Sequence, residues 1–287
     1  MDTRTASSIR KSLVQSGIPT IAVLAVIVIV AYGIDGLFHP QFSQVGLVIT
    51  GLIMALLPAM AWIFFFYQQD RREPEPKGMV AQVFVLGGLL AMAIAIPVVE
   101  DLFQVSTWLY ENFWVQLAGS ILVIGFVQEF LKYCAVRFSV YPSAEFDERT
   151  DGIIYATAAG LGFSTVLNVA FVVNSGGVDL GNGMIRITLT ALAHASFTGI
   201  TGYFLSKEKL DGAPAWWMPV GVSIAAVLNG IFFTLYGTLS KATITASGAF
   251  IRPWVGLLLA VVLAVAVSAF LTIKIQRDQH SLAGKGG

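Results

Sequence analysis

The sequence predicts an all-α membrane protein, a bundle of about eight transmembrane helices with both termini in the cytoplasm. Three observations predict it. Of the 287 residues 56% are hydrophobic and only 12% charged, and the mean hydropathy is +0.77, a composition suited to lipid as solvent. Eight apolar segments can be drawn, at 18–38, 45–67, 79–98, 113–137, 152–174, 187–206, 215–238 and 252–274. Each is long enough to cross a hydrocarbon core of about 30 Å at about 1.5 Å per residue. Threaded with the N-terminus inside, these segments leave thirteen of the 17 lysines and arginines on the inner side and only Arg186, Lys241 and Arg252 outside, with Lys132 near a helix end. That asymmetry is the positive-inside pattern. Residues 1–287 therefore read as a single multi-pass domain, expected in a bacterial or archaeal cell membrane with lipid as its immediate partner.

Composition also excludes several function classes. A net charge of zero argues against nucleic-acid binding. The single Cys134 allows neither an internal disulfide framework nor a cysteine zinc site. His39, His194 and His280 are too scattered for a histidine-rich metal cluster.

The first segment follows Arg10 and Lys11 and could pass for a signal peptide. No small-residue cleavage site follows it, only Tyr32-Gly33-Ile34-Asp35, so a retained signal-anchor helix is expected. Pro58 in the second segment and Pro97 near the end of the third are expected to kink or end those helices, which membrane bundles tolerate. Between them, Pro74 and Pro76 hold the polar loop 67–78 extended and stop the second helix; that loop reads as a stiff connector. Residues 98–112 carry Glu100, Asp101 and Glu111 but no basic residue, and their aromatic side chains suggest an interfacial outer loop.

The fourth segment contains Gly125-Phe-Val-Gln128-Glu129-Phe-Leu-Lys132. An ionisable group at membrane depth costs roughly 2.5–3.5 kcal/mol on insertion scales, so it marks a functional site by default. The bland alternative is that Glu129 and Lys132, one turn apart, neutralise each other. The acid-rich inner loop 141–152 then leads to the fifth segment, with Thr150 or Asp151 as candidate N-cap. In that segment Ala156, Gly160 and Ser164 recur every fourth residue and predict a close helix contact facing the bundle. Asn168 follows and needs a hydrogen-bonding partner. The sixth segment places Thr190, His194, Thr198 and Thr201 on one face; His194 fits either packing or function. Glu129 and His194 are expected to face one shared cavity. The seventh segment offers Asn229-Gly230, and the eighth, without charge, reads as scaffold.

Together these motifs resemble the PrsW-type intramembrane proteases. The resemblance rests on Arg-Glu-Pro-Glu-Pro-Lys77, Gln128-Glu-x-x-Lys132, Glu145-Phe-Asp-Glu-x-x-Asp-Gly-Ile-Ile-Tyr155, Gly-Leu-Gly-Phe163 with Asn168, His194-Ala-x-Phe-x-Gly and Asn229-Gly. It spans about 70–235, the expected family core, in the right order and spacing. The wider group includes the CAAX-processing membrane proteases and the APH-1 subunit of gamma-secretase.

The resemblance implies a peptidase that cuts membrane-tethered protein substrates, such as an anchored anti-sigma factor, in regulated intramembrane proteolysis. It also implies Glu129 and His194 as catalytic groups, supported by Lys132, Asn168 and Asn229. Four family positions are altered: Gln128 stands where a first acid is expected, Leu167 where a helix-five acid is, Asn229 where a histidine is and Phe233 where an acid is. No cofactor is predicted. A metal is possible in the family, but two candidate ligands here fall short of the three protein ligands such a site normally takes. The expected function is thus a PrsW-type homologue that is weak or inactive as a peptidase. The alternatives are a non-catalytic scaffold or substrate-binding homologue and a small-solute transporter, against which the lack of a visible inverted repeat argues.

Overall fold

A computed structural model describes residues 3–38, 40–68, 74–176, 180–245 and scattered positions within 262–274. The described residues are helical with no strand. We label α1 Thr3–Phe38, α2 Gln44–Tyr67, α3 Lys77–Leu102, the short α4 Val105–Trp108, α5 Phe113–Arg137, α6 Asp151–Asn174, α7 Leu180–Asp211 and α8 Trp217–Thr245. Six of them contain a stretch long and apolar enough to cross a membrane: α1, α2, α3, α5, α6 and α8. The predicted sixth segment lies in α7, which its polar stripe keeps out of that group. The predicted eighth segment falls largely outside the described residues, as do Asp70–Glu73 of the loop after α2.

The central element is α6, more of which is buried than of any other spanning helix; it packs on α7, α3 and α2. Small residues make this possible. Ala156, Gly160 and Ser164 are all buried, as their spacing predicts. A Cβ on Gly160 would lie 2.6 Å from the His194 carbonyl oxygen, and one on Gly162 would run into the Phe84 carbonyl. Backbones this close are the usual basis of helix association in lipid, where no hydrophobic effect drives helices together.

The ends of the helices are fixed by local hydrogen bonds. Ser43 caps α2 by accepting from Gly46 N at 3.2 Å, and Asn112 caps α5 by accepting from Val115 N at 3.0 Å. At α6 Thr150 holds the N-cap place without a capping bond. The Asp151 carboxylate instead accepts the Asp147 and Glu148 backbone N–H groups, at 2.8 and 2.5 Å. It thereby stabilises the preceding turn as well as the helix start.

The loop after α2 is more than a connector. Glu75 is only 3% exposed; its carboxylate accepts the Tyr155 hydroxyl and its backbone carbonyl accepts the Tyr67 hydroxyl at 2.8 Å. At the same end Lys209 donates to the Tyr141 and Ser143 carbonyls at 2.6 and 2.9 Å, clipping α7 to the 138–150 loop. Burial lowers the Lys209 ammonium from its ordinary range, with Asp151 and Asp147 opposing.

Candidate active site

Gln128, Glu129, Asn229 and His194 sit where glycines let two helices cross. In α5 the π-helical turns Ser120–Gly125 precede the polar stretch, and such wide turns often accompany functional sites. A Cβ on Gly125 would strike the Ala226 carbonyl, and one on Gly230 would lie 2.5 Å from Ile121 Cα. The α5 and α8 backbones therefore touch beside Gln128, Glu129 and Asn229. Gly160 does the same for α6 and α7 at His194.

Glu129 and Lys132 are completely buried and form an ion pair of 2.6 Å. The same Lys132 Nζ lies 2.8 Å from His194 Nδ1 and 4.9 Å from the centre of the Phe163 ring. Glu129 Oε1 also accepts from Asn229 Nδ2 at 2.8 Å, and Oε2 accepts from the Thr198 hydroxyl at 3.1 Å. Asn229 Nδ2 makes a second bond, to Gln128 Oε1 at 3.1 Å. Glu129 thus receives three donors from three helices. The predicted residues Gln128, Glu129, Lys132, His194 and Asn229 form one network. Asn168 stands apart from it: its Oδ1 accepts from the Thr190 hydroxyl at 2.9 Å, and its Nδ2 is buried without a partner among the described residues.

A cavity of about 260 Å³ opens beside this network. Its lining includes Gln128, Leu167, Asn168, Thr190, His194, Asn229 and Phe233, together with Glu100, Tyr110 and Arg186. Burial raises the Tyr110 phenol above its ordinary range; Glu100 adds to the rise and Arg186 opposes it. Glu129 is not among the lining residues. Adjacent residues of a helix point about 100° apart, so Gln128 faces the cavity and Glu129 lies behind it against Lys132. The expected shared cavity is therefore lined by His194, while Glu129 reaches it only through the network.

Sequence reasoning did not single out Thr198 as a partner of Glu129, nor Glu75 as a buried group. The threonine stripe on α7 was the available signal for the first; a charged, proline-rich loop offered none for the second.

The profile of the PrsW family intramembrane metalloproteases matches residues 75–268. The chain belongs to the PrsW family. It is 30% identical over 188 residues to Protease PrsW of Bacillus subtilis (strain 168), covering 65% of this chain and 82% of that protein. Against Protease PrsW of Halalkalibacterium halodurans it is 29% identical over 192 residues, 66% of this chain and 85% of that protein. Against the Geobacillus kaustophilus protein of that name it is 31% identical over 153 residues, 53% and 64% of the two chains. No solved structure matches. As a PrsW homologue with several membrane-spanning helices, the chain is a multi-pass integral protein of the bacterial cell membrane.

The PrsW family description implies a metal, and the donor set here does not fit one. Among the described residues no three His, Cys, Asp or Glu side chains gather within reach of a common ion. The two acid–base groups that do approach one another, Glu129 and His194, have the Lys132 ammonium between them.

Proposed function

We propose that this chain is a PrsW-type intramembrane peptidase homologue for membrane-tethered protein substrates, with so depleted an acid–base set that hydrolysis is weak or absent. One observation carries the reading: the four altered family positions, Gln128, Leu167, Asn229 and Phe233, all line the cavity that His194 lines. Peptide hydrolysis needs one group to take a proton from water and another to protonate the leaving amine. Glutamine, leucine, asparagine and phenylalanine do neither at working pH. What acid–base capacity remains lies in Glu129 and His194, with Lys132, Asn168 and Asn229 holding or supplementing them. The substrate best suited to a largely apolar cavity between spanning helices is a single-pass or lipid-facing anchored segment, of the anti-sigma-factor kind.

A photoreactive side chain placed at Phe233 tests this without requiring turnover. It is expected to cross-link a single-pass reporter several-fold more than the same probe at Leu122, which is 66% exposed on the outside of the bundle. Equal capture from both positions overturns the substrate site.

The topology proposed with this function is one membrane domain of eight spans, with both termini cytoplasmic and the family core at about 70–235. Basic-residue asymmetry supports it, and so does the length of α7, 32 residues, ample for a bilayer crossing. In a Cys134→Ala background, Ser106→Cys should react with impermeant maleimide from outside and Ser143→Cys only after permeabilisation. Labelling of both from one side sinks the topology.

A further inference from the structure

We propose that Lys132 is the resident cation of this site. Its ammonium occupies the acceptor positions of Glu129 and His194 that a metal ion would need, and fixes His194 with its ring proton on Nε2. His194 then serves as a hydrogen-bond donor to whatever enters the cavity. Only that last role rests on the cavity being a substrate site; the cation and the tautomer rest on geometry.

The argument is a count of protons and lone pairs. A lysine ammonium has three donors and no acceptor. Both oxygens of Glu129 are approached by donors, Asn229 Nδ2 and the Thr198 hydroxyl as well as Lys132 Nζ at 2.6 Å, the surroundings of a carboxylate, and a buried carboxylate is matched by the ammonium beside it. The same nitrogen lies 2.8 Å from His194 Nδ1. An ammonium at that distance donates, so Nδ1 must be the bare nitrogen of the ring. A neutral imidazole keeps one proton, which therefore sits on Nε2. A doubly protonated ring is excluded by the same contact, which would set N–H against N–H with the imidazolium and ammonium charges in touch.

The other partners complete the count. Asn229 and Thr198 donate to Oε1 and Oε2 of Glu129, so both carboxylate oxygens are already engaged. Any ion seated between Glu129 and His194 would displace Lys132 and leave its charge buried under Phe163. His194 Nε2 has no hydrogen-bond partner among the described residues, although the residue is only 9% exposed and its ring lines the cavity. With its basic nitrogen engaged by Lys132, the imidazole cannot draw a proton from water. It can polarise a carbonyl oxygen. Lys132 is thus a positioning residue that converts a candidate base into an electrophile.

The test uses the full chain in lipid nanodiscs, labelled with 15N in the histidine rings, at neutral pH. His194 is assigned by the signals lost in His194→Gln, with those of His39 and His280 retained. The expected spectrum shows a proton-bearing Nε2 and a bare Nδ1. After exposure to excess zinc chloride and washing, the His194 signals should not move, and retained zinc should be far below stoichiometric. A proton on Nδ1, or on both nitrogens, overturns the proposal. So does zinc retained in stoichiometric amount with displacement of the His194 resonances. Folded Lys132→Met should lose the single tautomer and show two sets of signals; an unchanged spectrum also counts against Lys132. If that variant does not fold, the unmodified chain decides alone. None of these readouts needs cleavage, so the peptidase reading can fail, with neither this chain nor one with its acid–base groups restored cutting any reporter, while this one stands.

Discussion

A variant carrying Gln128→Glu, Leu167→Glu, Asn229→His and Phe233→Asp is expected to cleave a membrane-anchored reporter about 10²–10⁴-fold faster than the unmodified chain, the range typical for one general acid or base. The four side chains share a cavity wall, so the restored groups converge. Gln128→Glu preserves shape and still accepts from Asn229 or its replacement; the amide had kept the hydrogen bond and lost the proton chemistry. Leu167→Glu exchanges an apolar wall for a carboxylate next to Asn168. The cost is insertion: each added carboxylate at membrane depth is unfavourable by roughly 2.5–3.5 kcal/mol. Rates must therefore be compared per folded molecule. If the unmodified chain cuts as fast as the restored one, and Glu129→Ala abolishes that cleavage, then Glu129 and His194 suffice and the depleted-site reading is wrong. If neither cuts any reporter while Phe233 still captures one, the scaffold alternative gains.

The parts of this fold that were legible in sequence are those written in local periodicity. Hydrophobic runs located α1, α2, α3, α5, α6 and α8, and the four-residue repeat of Ala156, Gly160 and Ser164 located the face of α6 that packs inward. The pairing of Glu129 with Lys132 follows from three-residue spacing on a helix. Its extension to His194 does not, because that contact joins side chains 62 positions apart and depends on where two helices cross. The π-helical turns before Gln128 have no sequence signature, yet they precede the point at which α5 presents Gln128 to the cavity and Glu129 to its rear. Glu75 gives no sign of its burial for a different reason. Two prolines and flanking charges suggest a stiff connector, whereas the chain folds that carboxylate inward onto Tyr155. A polar residue's burial is set by the partner that satisfies it, and partners distant in sequence leave no local trace.

Breaking the Glu129–Lys132 pair from one side should cost about 3–5 kcal/mol, the usual penalty for stranding a buried charge. Lys132→Met strands the Glu129 carboxylate among two neutral donors, Asn229 and Thr198, and leaves His194 Nδ1 without its donor. Glu129→Leu strands the ammonium against Phe163 and His194. Replacing both together, Glu129→Leu with Lys132→Met, should be near neutral or stabilising by up to about 4 kcal/mol, because well-packed apolar side chains often match or exceed a buried ion pair. The surrounding donors tolerate that change. Asn229 keeps its bond to Gln128 at 3.1 Å, and the Thr198 hydroxyl can turn its one proton to the His194 carbonyl, 2.8 Å away. Reversible unfolding in mixed detergent, run as a double-mutant cycle, measures all three variants; a double variant as unstable as either single one refutes the assignment of the penalty to stranded charge. The same double variant separates structure from chemistry. If the pair only holds helices together, cleavage in the restored background survives its replacement. If Glu129 takes part in hydrolysis, the doubly replaced protein is at least as stable as the parent and cuts nothing. Stability and activity then part company at one residue, as expected where site chemistry opposes the preference of the bilayer.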